Sequence, residues 1–164
     1  MDTRIHPIGG THNTSFKLTF TPYQRFISRG LLDPEKTLGT SWINDAERKT
    51  VYVVDDFGLQ SVKDGKIDAQ RQRFDGFDLG MIPIVAYGPR RFMLIICCAP
   101  QDNVRIFKGI RAKKSITMHW GCRALILTKE EAIETPTKLA EECKKIGIDE
   151  GDFLVSDVCE TKYF

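Results

Sequence analysis

The sequence lacks any apolar run approaching the roughly eighteen residues that span a bilayer. Its first ten residues, Met1 to Gly10, hold Asp2, Arg4 and Pro7 where a secretory leader needs a continuous apolar stretch. The chain therefore reads as soluble and cytoplasmic, at most peripheral to an intracellular membrane. It has five cysteines, an odd number without CxxC spacing, which signals neither a disulfide framework nor a zinc ribbon. Free thiols in a reducing compartment are the simpler reading. An excess of charge is missing too: Lys and Arg number 24 against 22 Asp and Glu, and the basic residues fall in short groups such as Arg90-Arg91 and Lys113-Lys114. A nucleic-acid partner is not expected from that balance. P-loop, glycine-rich dinucleotide turn and nucleophile elbow are all absent. So are internal repeats and linkers rich in glycine, serine or proline.

What is present is enough for one folded domain. The chain has 164 residues, 41% of them hydrophobic and 28% charged, far from the composition of disordered chains. At that length about two-thirds of the unfolded surface is hidden on folding. Phe16 to Phe20 alternates apolar and polar residues as a half-buried strand does, with Pro22 closing it. Thr50 to Val54 is a second strand, ending at Asp55-Asp56-Phe57-Gly58. The apolar run Leu79 to Val85 suits a strand buried on both faces, although Pro83 removes one ladder donor. Pro100 sits where a helix starts, with Val104, Ile106 or Phe107, and Ile110 at helical spacing. Ser115 to Met118 predicts a short strand. Thr135-Pro136 opens a helix with Leu139, Cys143 and Ile146 on one face and Gly147 as its stop. Phe153 to Val155 is a last strand, and Ser61 to Arg73 is polar, a surface helix or a loop. Strands alternating with helices favour an α/β layered fold.

Two polar residues stand just beyond apolar strands, Asp56 and His119, and strand ends are where ligands gather in layered α/β folds. Asp56, beside Gly58, serves either as a turn or helix cap or as a carboxylate ligand. His119, between Met118 and Trp120, serves either as a hydrogen-bonded structural residue or as an imidazole ligand for zinc. His6 and His12 read as loop residues. Cys97 and Cys98, after Leu94-Ile95-Ile96, read as buried small hydrophobes, because nothing near them in sequence lowers their pKa.

The segment Ile82-Pro83-Ile84-Val85-Ala86-Tyr87-Gly88-Pro89-Arg90-Arg91-Phe92-Met93, with Met118-His119-Trp120-Gly121, resembles the N-acyl-phosphatidylethanolamine-hydrolysing phospholipases D of metallo-β-lactamase fold. Likeness continues in order through Phe20-Thr21-Pro22-Tyr23-Gln24, Thr40-Ser41-Trp42, Asp56-Phe57-Gly58, Phe77-Asp78-Leu79, Glu134 to Leu139 and Glu160-Thr161-Lys162-Tyr163. The resemblance implies one half of an αβ/βα sandwich: residues 16–164 as the C-terminal half, with 1–15 an N-terminal extension in loop form. It implies a phospholipid substrate at a membrane surface and a two-zinc site, since metal ions lower the pKa of bound water and neutralise phosphoryl charge. On it, Asp56 falls at the aspartate that bridges the metals and His119 at the late histidine ligand.

The sequence departs from that pattern where the chemistry sits. The His-x-His-x-Asp-His cluster that supplies most ligands in the family has no counterpart here. Arg25 stands at the histidine position after Thr-Pro-x-Gln and, as a permanent cation, cannot bind zinc. Cys97 stands at a further active-site histidine, Ala99 at the aspartate that follows it, and Asp55 and Phe57 at a glycine and a threonine. Catalytic zinc takes three protein ligands. The expectation is therefore a degenerate hydrolase, inactive as this chain alone. It would be completed by an N-terminal half, or serve as a non-catalytic lipid-binding or self-associating module, a homo-oligomer through its exposed face.

Overall fold

The computed structural model describes residues 3–7, 15–24, 38–46, 48–54, 74–84, 87–88, 98–120, 134–157 and 159–164. Among them run β1 (Thr3–Pro7), β2 (Ser15–Gln24), β3 (Leu38–Ala46), β4 (Lys49–Val53), β5 (Phe77–Pro83), α1 (Pro100–Ile110), β6 (Ala112–Met118), α2 (Glu134–Lys145) and β7 (Phe153–Leu154). The strands form one sheet in the order β1-β2-β3-β4-β5-β6-β7. Pairing is antiparallel from β1 to β4 and parallel from β4 to β7. Among the described residues no helix is long and apolar enough to cross a membrane.

Each helix is bounded by local chemistry. Pro100 fits the first turn of α1, where its missing N–H costs nothing. The Asp102 carboxylate accepts the Ala99 backbone N–H at 3.2 Å, and the Asn103 side-chain amide donates to the Ala99 carbonyl at 3.2 Å. Arg111 closes α1 in the left-handed region, φ 53°, with its N–H on the Lys108 carbonyl. Gly147, at φ 68°, ends the turn after α2, and Ile148 donates back to the Cys143 carbonyl at 3.0 Å.

The two faces of the sheet follow from the register. One row crosses six strands as Thr19, Ile43, Tyr52, Gly80, Ser115 and Phe153, and every member is buried. This face meets the helices, where Ile106 and Ile110 of α1 and Leu139 and Cys143 of α2 join Ile43, Tyr52, Ile82 and Ile84 in the core. Burying side chains such as Ile106 and Ile110 stabilises the fold by about 1.5–3 kcal/mol each. Gly80 is small for a packing reason: a Cβ there would lie 2.8 Å from Cδ1 of Ile110. The Ser115 hydroxyl beside it donates to the Gly80 carbonyl at 2.7 Å.

One residue along each strand, the next row reads Phe20, Trp42, Val53, Met81, Ile116 and Leu154. All six are large and apolar, all are half-buried, and they point away from the helices. Phe20 and Trp42 touch within that row, ring centroids 4.0 Å apart.

Three sequence expectations change. The segment before residue 16 was expected as loop, yet Thr3–Pro7 pairs with β2, placing His6 opposite Phe16 in a strand. Pro22 does not close β2, which continues to Gln24 with Pro22 opposite Thr40. The run from Leu79 is not buried on both faces, since Leu79 and Met81 are half-buried on the side turned away from the described helices. Ser61 to Arg73 lies outside the described residues.

Candidate functional site at the strand ends

Parallel strands that run side by side finish on one edge. Here β4, β5 and β6 do so together: the Val54 N–H donates to the Met81 carbonyl at 2.9 Å, and the Ile84 N–H to the Met118 carbonyl at 2.9 Å. At the carboxyl ends of such strands, the chain's departure leaves a crevice for ligands.

His119 leaves β6 on this edge. It is exposed and takes φ 66°, a left-handed conformation that histidine adopts more readily than bulky or β-branched residues. The turn is held from the next residue, because the half-buried Trp120 indole donates to the Ser156 carbonyl at 2.8 Å. The imidazole thus belongs to a fixed strand end, which is what a ligand position requires.

Asp56, the other candidate ligand, lies outside the described residues, as do Arg25, Cys97 and His12. Val54, the last described residue before Asp56, is on the same edge as Met118 with β5 between them. Cys98 is buried, 2% exposed, as expected for a small hydrophobe. Ala99 caps α1.

Among the described residues, no group of three or more His, Cys, Asp or Glu converges into a metal site. A catalytic zinc takes three protein ligands, and the described residues hold no such group around His119. The described residues by themselves do not fit the metal.

Sequence reasoning missed the fully buried pair Asp102 and Asn103 at the start of α1. Burial of polar side chains depends on tertiary packing, although the acidic residue in the first helical turn was a visible cap signal. It also missed the opposite edge of the sheet, where Lys113 reaches Asp78 at 2.8 Å and Thr50 donates its N–H to the same carboxylate at 2.9 Å. The Lys113 hydrogen bond, with the Thr50 N–H next, lowers the Asp78 carboxyl from 3.8 to about 2.

The chain matches the β-lactamase superfamily domain over residues 1–120. It is 36% identical over 120 residues to N-acyl-phosphatidylethanolamine-hydrolyzing phospholipase D 1 of Caenorhabditis elegans, an alignment covering 73% of this chain and 33% of that protein. The mitochondrial N-acyl-phosphatidylethanolamine-hydrolyzing phospholipase D of Saccharomyces cerevisiae is 26% identical over 129 residues, 78% of this chain and 27% of the yeast protein. The chain thus spans about a third of the length of these curated relatives. Among solved structures, isothiocyanate hydrolase from Delia radicum gut bacteria shares the fold at TM-score 0.63 and 17% identity, covering 91% of this chain and 55% of that one. A mixed sheet whose described helices lie on one face, matched to about half of a complete hydrolase, is one half of a metallo-β-lactamase-type sandwich. With that fold and the match over residues 1–120, the chain belongs to the β-lactamase superfamily and resembles its N-acyl-phosphatidylethanolamine-hydrolysing phospholipases D.

Proposed function

We propose that this chain is the C-terminal half of a zinc-dependent phosphodiesterase acting on N-acylphosphatidylethanolamine at a membrane surface, and that it is catalytically inactive until a second half completes it. The observation that carries the reading is the row Phe20, Trp42, Val53, Met81, Ile116 and Leu154 across the face turned away from the described helices. Six large apolar side chains in one line across six strands make a surface suited to a second packed layer. His119 at the edge of that face, at the position of the family's late histidine ligand, supports a metal site shared between the halves. Asp56 is the second ligand in this proposal. Arg25 weakens even the completed site, because a guanidinium offers no lone pair to zinc.

The test is to purify the chain alone and together with a segment bearing His-x-His-x-Asp-His. Zinc stoichiometry and hydrolysis of N-acylphosphatidylethanolamine are then measured on both. The expected result is no stoichiometric zinc and no turnover for the chain alone, zinc in the pair, and higher turnover in the pair with Arg25→His. Stoichiometric zinc with turnover in the chain alone would overturn the inactive half, and a pair that takes up no zinc would overturn the shared site.

The same apolar row supports a second reading, a non-catalytic module that pairs with its own copy through this face. Large apolar patches tend to be covered. Gel filtration decides: a clean monomer at micromolar concentration sinks this reading.

A further inference from the structure

At the amino-terminal ends of the parallel strands, on the edge opposite His119, the fold builds a cavity of about 220 Å³. Its floor is apolar, made by Val51 of β4 and Leu79 of β5 with Phe164 beside them. Val51 and Leu79 are register partners, and Lys114 of β6 is the next residue in the same row. The Lys114 stem thus continues the apolar floor while its ammonium reaches solvent. Lys49, two residues before Val51, lies on the same side of β4, and Lys113 completes the rim.

The charges on this rim do not cancel. Asp78 is the one acidic side chain among the described lining residues, and it is held by Lys113 and by Thr50. Lys49 and Lys114, both exposed, add two positive charges that this pair leaves in place. An apolar floor beneath two cations suits a ligand with an alkyl chain and one anionic head. A sugar phosphate would leave the floor unused, and a neutral hydrocarbon would leave the lysines unused. The volume lies below the ~300–1,000 Å³ of sites for drug-sized ligands, so it admits a single chain and not a two-chain lipid.

We propose that this cavity binds a fatty-acid carboxylate, its alkyl chain over Val51 and Leu79 and its head between Lys49 and Lys114. The site is on the edge opposite His119 but on the same face as the apolar row, so it is proposed for the chain by itself, with no second layer on that face.

Decanoate is titrated into the purified chain at low salt below its aggregation threshold and followed by calorimetry, with decanol and decyltrimethylammonium as neutral and cationic controls. Decanoate should saturate at one per chain, and the controls should bind more weakly. Lys49→Gln with Lys114→Gln should weaken decanoate about fivefold, since two exposed charge contacts are worth roughly that much. Added salt should weaken it in the wild type and much less in the double variant. Leu79→Ser should also weaken it, while Met81→Ser, further along β5 on the same face, should leave it unchanged. Equal affinity for decanol, unchanged binding by the double lysine variant, or equal loss in Met81→Ser would each overturn the proposal. The lysine variants alter exposed residues, so they decide the matter even if Leu79→Ser fails to fold.

Discussion

Two adjacent rows of the same sheet have opposite characters. Thr19, Ile43, Tyr52, Gly80, Ser115 and Phe153 are buried beneath the helices, though three of the six are small or polar. Phe20, Trp42, Val53, Met81, Ile116 and Leu154 are all large and apolar, though none is fully buried. On the helix side size is limited by what packs above: Gly80 admits Ile110, and Ser115 satisfies its hydroxyl on the strand next to it. On the other side neither described helix restricts the side chains, and hydrophobicity exceeds what a solvent-facing surface needs. Burial in this half-domain therefore records the helices that are there. Composition of the exposed row records a layer for which it is suited.

This contrast can be broken at several points. The largest effect is expected from Ile82→Ala on the helix side, where the side chain is 0% exposed; it should cost about 3 kcal/mol in urea unfolding, as core truncations of this size do. A cost below about 1 kcal/mol would mean that the helices pack more loosely than their contacts indicate. Gly80→Ala adds a methyl group 2.8 Å from Ile110 Cδ1, in a core where Ile110 has little room to move. It should destabilise by about 2 kcal/mol, the range for overpacking.

On the row turned away from the described helices, Met81→Ser should cost the chain only about 1 kcal/mol, because its side chain is not fully buried. The same substitution should sharply reduce association with a complementing half, measured by co-purification. If it instead unfolds the chain, the row belongs to this chain's own core.

The smallest effect is expected at the lysine edge. Asp78→Asn removes the charge partner of the exposed Lys113 ammonium, worth about 0.5 kcal/mol at neutral pH. Because the folded Asp78 carboxyl is lowered to about 2 from 3.8, its stabilisation is complete above pH 4 and is lost as pH falls from 4 toward 2. Urea midpoints of wild type and variant should differ at pH 7 and converge near pH 2. A difference that persists there would show that Asp78 acts through packing and not through its charge.

Much of the second half of the chain was legible in its residues. Pro100 marked the start of α1, Gly147 the stop after α2, and the apolar runs before His119 and at Phe153 marked strands, because caps and turns depend on local conformational preferences. The first half was less so. β3, Leu38–Ala46, carries Gly39, Asn44 and Asp45 among its nine residues, and such residues depress any local strand signal. β1 holds only five residues, with a terminal proline, and is strand because β2 offers it a partner. The same holds for Pro22, which the pairing of β2 with β3 overrides.

The sequence by itself determined the α/β class, the resemblance to a phospholipase family, and the position of His119 after a strand. These depend on local periodicity and on motifs that lie contiguous in the chain. Only the tertiary structure decided that β4, β5 and β6 end on one edge, that six apolar residues from six strands form one row, and that Lys49, Lys113 and Lys114 share a cavity with Val51 and Leu79. Register is set by pairing between segments distant in sequence, and which residues become neighbours follows from that pairing.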